Sequence, residues 1–122
     1  MEITQRVEGD VAVLVVTGPL SIEWSPLLKQ PVADLVEAGA LKLVIDLDQV
    51  PWVDSTGLGA LVRTYVTFQR KGGGAKLCRP GKRVREILRI TKLLDVIETY
   101  DTVEEALQSF AQPAREVTAG RR

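Results

Sequence analysis

The chain has 122 residues, 45% hydrophobic and 26% charged, the proportions of one globular domain. Sixteen basic residues balance sixteen acidic ones, which excludes a strong overall field for nucleic acid or an anionic membrane. There is no histidine and only one cysteine, Cys78, which excludes His-based catalytic triads, the usual metal-ligand sets and an internal disulfide. The opening residues, MEITQRVEGD, are polar and lack the apolar core of a signal peptide. No segment reaches the roughly 18 uninterrupted apolar residues of a membrane span, so a cytoplasmic protein is expected.

Ile3, Gln5 and Val7 alternate as in a half-exposed edge strand, and Glu8-Gly9-Asp10 is a hairpin signal. Val11 to Val16 is continuously apolar and mostly β-branched, the pattern of a strand buried on both faces. Ser21 to Trp24 reads as a loop carrying two large apolar side chains, Ile22 and Trp24. Ser25 is placed to cap a helix with Pro26 at its first position, running to Ala38 with Gly39 beyond it. Pro31 inside that helix predicts a kink or a fresh start, because proline removes a hydrogen bond. Val32, Leu35 and Val36 are its buried stripe.

Leu41 to Leu47 is the next strand. A helix starts near Ser55 and runs to about Arg70, with Leu58, Leu61, Val62, Tyr65 and Val66 at helical spacing. Lys71-Gly72-Gly73-Gly74 reads as a flexible turn, Ala75 to Cys78 as a short strand, and Gly81 to Ile90 as a helix. The cations from Lys76 to Arg89 have no interleaved aromatic platform and read as a solvated face. Val96 to Tyr100 is a last strand. Asp101 or Thr102 then caps a helix with Val103, Ala106, Leu107 and Phe110 turned inward. Residues 1–112 are expected to form one domain and 113–122 a frayed tail. Strands alternating with helices predict an α/β fold: a mixed, mostly parallel sheet of about five strands with about four helices.

Chemistry concentrates at Asp54-Ser55-Thr56-Gly57-Leu58-Gly59. Ser55 is open to two readings, a helix N-cap or a phosphoacceptor at the positive end of the helix dipole. A nucleophile is disfavoured, since the chain has no histidine and no Gly-x-Ser-x-Gly elbow. Glycine early in a helix costs up to about 1 kcal/mol relative to alanine, so Gly57 and Gly59 point to close approach by another backbone. Docking is the preferred reading, with packing against a strand the alternative for Gly59. Gly72-Gly73-Gly74 lacks the lysine and hydroxyl of a P-loop. No cofactor is expected.

The strand Leu43-Val44-Ile45-Asp46-Leu47 followed by Val53-Asp54-Ser55-Thr56-Gly57-Leu58-Gly59 resembles the STAS domain proteins, in particular the stand-alone bacterial anti-sigma factor antagonists. The resemblance spans roughly Ile3 to Phe110. It implies a protein that is not an enzyme and binds an anti-sigma factor. That partner would be a serine kinase that phosphorylates Ser55, with a serine phosphatase resetting the switch. Ile22, Trp24, Asp54, Ser55, Thr56, Gly57 and Leu58 are the expected partner-binding residues. The chain departs from the family at Ser21, where an aspartate is frequent, and at Pro31. The competing reading is an unphosphorylated STAS subunit of a sensory or lipid-transport assembly.

Overall fold

The computed structural model describes residues 2–111. Strands β1 (Glu2–Glu8) and β2 (Val11–Thr17) form the hairpin around Gly9. A 3₁₀ turn (Ser25–Leu28) leads into α1 (Lys29–Glu37), followed by β3 (Lys42–Gln49) and α2 (Ser55–Arg70). Then come β4 (Gly74–Cys78), α3 (Lys82–Ile90), a second 3₁₀ turn (Leu93–Asp95), β5 (Thr99–Tyr100) and α4 (Val103–Ala111). The five strands lie in one sheet in sequence order, β1 antiparallel and the rest parallel. As their unbroken apolar runs require, β2 and β3 sit side by side in the interior, with Val13 opposite Val44. The expected tail, 113–122, lies outside the described residues.

Alternation along the strands divides the core in two. Leu14, Val16, Leu43, Ile45, Leu47 and Leu77 face one way and are covered by α1, α2 and α3. Val11, Val13, Val44 and Cys78 face the other way and are covered by α4 through Val103 and Ala106. Burial, with the nearby Asp46 charge, pushes the Cys78 thiol up to about 12, so it stays protonated and packs as a small apolar group.

Four expectations are corrected. Ser25 does not cap α1; it is buried as the first residue of the 3₁₀ turn, and no side chain caps either that turn or α1. The fresh start expected at Pro31 is real: the 3₁₀ turn hands over to α1 at Lys29, which leaves Pro31 in the first turn, where a missing N–H costs little. The buried stripe of α2 is Gly57, Ala60, Leu61, Thr64 and Phe68, rotated from the expected one, with Val62 and Val66 only half-buried. Thr64 can lie inward because its hydroxyl donates to the Ala60 carbonyl at 2.8 Å.

The glycine run is not a slack turn. A Cβ on Gly73 would lie 1.7 Å from the Leu41 carbonyl oxygen, and Gly74 already pairs with β3. The last strand is only Thr99–Tyr100. Val96 is consumed by the preceding turn, with the Ile97 N–H donating to the Leu93 carbonyl at 2.8 Å. Of the two residues considered for the cap of α4, Thr102 takes the role, its hydroxyl accepting from the Glu105 N–H at 3.0 Å.

Candidate functional site

Two loops meet at the carboxyl ends of β2 and β3. The ladder between these strands continues past them, with the Gly18 N–H donating to Gln49 at 3.0 Å and the Leu20 N–H to Trp52 at 3.1 Å. The Asp54 N–H returns a bond to the Leu20 carbonyl at 3.0 Å, and Leu20 and Val53 form an isolated parallel bridge. The start of α2 is thereby fixed against the loop that carries Ile22 and Trp24.

Asp54 is the N-cap of α2, and it also ties the two loops together. Its Oδ1 accepts from the Gly57 N–H at 2.9 Å, and its Oδ2 accepts from the Ile22 N–H, also at 2.9 Å. The Gly57 N–H most strongly, with those of Ile22 and Thr56, holds the Asp54 carboxyl below its ordinary pKa. The N–H groups that would otherwise face solvent at this helix end are therefore partly engaged by Asp54.

Ser55 is the first residue of α2 and is exposed. Of the two readings of Ser55, the cap falls to its neighbour. Ile22 is 72% exposed and held beside this helix end by Asp54, while Trp24 is half-buried. At least one exposed apolar side chain was expected here, and Ile22 is that residue. Thr56 is half-buried and faces a groove between α1 and α2. Leu58 is half-buried and packs on the core. Ser21, where the family pattern often has an acid, is buried, and its carbonyl accepts from the Trp24 and Ser25 N–H groups.

Gly57 requires a correction. It is buried, and a Cβ there would lie 2.1 Å from the Leu20 carbonyl oxygen. The close backbone approach that glycine permits is made inside the chain, against the loop after β2. Gly59 was the one expected to pack on a strand. It is half-buried, and a Cβ there would meet only the Arg63 guanidinium, at 3.2 Å. Leu20, whose carbonyl accepts from the Asp54 N–H and lies against Gly57, carries no polar side chain and was not among the expected partner-binding residues.

Among the described residues there is no cluster of acidic or sulfur ligands suited to a metal ion, and no helix long and apolar enough to cross a membrane.

Comparison with known proteins identifies the family. The model of the STAS domain matches residues 2–106. The anti-sigma-B factor antagonist of Bacillus subtilis is 34% identical over 101 residues, which cover 83% of this chain and 91% of that protein. The crystal structure of an anti-sigma factor antagonist from Mycobacterium paratuberculosis aligns with a TM-score of 0.83 at 26% identity, covering 91% of this chain and 94% of that one. The phosphorylated form of the Bacillus cell fate determinant SpoIIAA aligns with a TM-score of 0.68 at 17% identity, over 88% of this chain and 98% of that one. At that identity the likeness is one of fold.

Proposed function

The chain belongs to the STAS domain family, and we propose that it is an anti-sigma factor antagonist switched by phosphorylation of Ser55. The observation that carries this reading is the division of labour at the start of α2. Asp54 does the capping, so the exposed Ser55 hydroxyl has no structural task and is free for a kinase. The curated relatives, which include antagonists of anti-sigma factors, support the choice of partner.

In the unmodified state, Ile22, Ser55 and Thr56 present a surface of low charge to the anti-sigma factor, with Trp24 and Leu58 behind them. Phosphorylation adds about −1.5 to −2 charge at neutral pH. It does so next to the Asp54 carboxylate, whose two oxygens are already committed to backbone donors. The combined charge in an interface is repelled by acidic groups and expensive to desolvate, so the complex opens without refolding. The anti-sigma factor is itself the serine kinase in this reading, a serine phosphatase restores the binding form, and all three act in the cytoplasm.

The test is incubation with the cognate anti-sigma factor and ATP, read by intact mass and by retention of the complex. The wild type should gain one phosphate and dissociate. Ser55→Ala should stay unphosphorylated and bound, and Ser55→Asp should bind more weakly. A full phosphate on Ser55→Ala, mapped to Thr56, would move the switch by one residue. No phosphate on the wild type would support a structural subunit of a larger assembly instead.

A further inference from the structure

A groove of about 770 Å³ runs between α1 and α2, a size usual for small-molecule sites. Both helices lead from the end of one parallel strand to the start of the next, so they run in the same direction and the groove has two distinct ends. Its walls are aliphatic, from Leu28, Val32, Val36 and Ala60.

The ends differ in charge. At the amino-terminal end lie Ser25, Thr56, Lys29 and Arg63. Arg63 belongs to this end because its guanidinium turns back over Gly59, which has no side chain to block it. Glu37 marks the other end, beside Thr67. Neither Lys29 nor Arg63 forms an ion pair among the described residues. Ser25 is 3% exposed, and its hydroxyl has no hydrogen-bond partner among the described residues. A buried hydroxyl without a partner costs about 1–3 kcal/mol, and in a groove lining it is a group waiting for a ligand.

We infer that this groove binds an unbranched medium-chain carboxylate, with its head at Ser25, Lys29 and Arg63 and its chain running toward Val36. The two free cations select an anionic head, and Glu37 repels that head from the opposite end, which fixes the direction. From Thr56 to Thr67 the groove is about 17 Å long at a rise of about 1.5 Å per residue, a length that an extended alkyl chain of medium length spans, and its aliphatic walls suit that chain. The inference holds or fails independently of Ser55 phosphorylation, and it places a ligand head one residue from the proposed switch.

The test uses the full chain alone, titrated with decanoate and followed by calorimetry and amide chemical shifts. Binding should saturate at one equivalent, with shifts concentrated in 25–37 and 56–67. Decyltrimethylammonium should bind at least tenfold more weakly, and acetate should not bind. Arg63→Glu should weaken decanoate binding at least tenfold. Ala33→Phe, at an exposed position on the groove wall, should block it while leaving the circular dichroism spectrum unchanged. Equal binding of the cationic and anionic amphiphiles would overturn the inference, as would shifts centred on the exposed Val7, Ile90 and Val96. So would the absence of decanoate binding together with burial of 25–37 by the anti-sigma factor, which would make the groove a protein-docking cleft.

Discussion

The two faces of the sheet are held in different ways. On the three-helix face, backbone lies against backbone: Gly57 touches the Leu20 carbonyl and Gly73 the Leu41 carbonyl, with no room for a side chain. On the α4 face, side chains reach across. Lys76 donates to Ser109 at 2.7 Å and sits 4.2 Å from the Phe110 ring centre, and Arg79 makes a two-pronged bond to the buried Asp46 at 2.7 and 3.1 Å. The first kind of packing lies beneath Ser55 at Gly57 and at the opposite end of α2 at Gly73. The second yields more easily to substitution, and it lies away from the candidate site.

The largest effect should come from Gly57→Ala. Its Cβ meets backbone, which cannot rotate away, so the loss should be at least about 3 kcal/mol in urea unfolding. Phosphorylation of Ser55 should be impaired as well, because the loop after β2 is displaced. A loss below about 1 kcal/mol would show that the two loops slide freely and would break the contrast between the faces.

Arg79→Ala should cost less, about 2–3 kcal/mol. It leaves the Asp46 carboxylate buried without its cation, but Arg79 is 41% exposed, so water screens the pair below the range for fully buried ones. Arg79 also has φ of +56°, so Arg79→Gly should lose about 1 kcal/mol less than Arg79→Ala. Both variants should still accept phosphate on Ser55, since the damage lies on the other face.

Acid should weaken the cap before it unfolds the chain. The pKa of Asp54 is lowered in the folded state, so its contribution is complete above the unfolded value of about 3.9 and disappears as pH falls through the folded value. Asp54→Asn should therefore have a melting temperature that depends less on pH below about pH 4 than that of the wild type. Equal slopes would mean that the Gly57 and Ile22 bonds are not maintained in solution. Smallest of all, Ser55→Ala should change stability by less than about 0.5 kcal/mol, because Asp54 and not Ser55 caps the helix.

Sheet, helix order and the position of Ser55 were legible because they rest on patterns along one segment: unbroken β-branched runs in β2 and β3, and a strand followed by a small polar turn. The inward side of α2 was not. Hydrophobicity favoured Val62 and Val66, yet the face that packs is set by size, with Gly57, Ala60 and Thr64 lying where space is least. Thr64 counts as polar until its hydroxyl is seen to bond one turn back. The partner of Gly57 was hidden for a related reason. A glycine announces close approach, but the other side of that approach is the main chain of Leu20, which any residue could supply. The bond from Ile22 to Asp54 spans 32 positions and has no local signature.

The order of strands in the sheet is also their order in the chain. Each new strand joins the growing edge beside its predecessor, so no strand must be inserted between two that are already paired. Contacts that close short loops form faster than those between distant segments. Synthesis from the amino terminus can thus lay down β1, β2 and β3 in turn, and the pieces that surround Ser55 are all present once α2 has emerged. The covering of the opposite face by α4 comes last. Pulse-labelled hydrogen exchange during refolding should protect β2 and β3 before β5. In a chain built this way, the surface around Ser55 is assembled early and the closing helix is the final fastening.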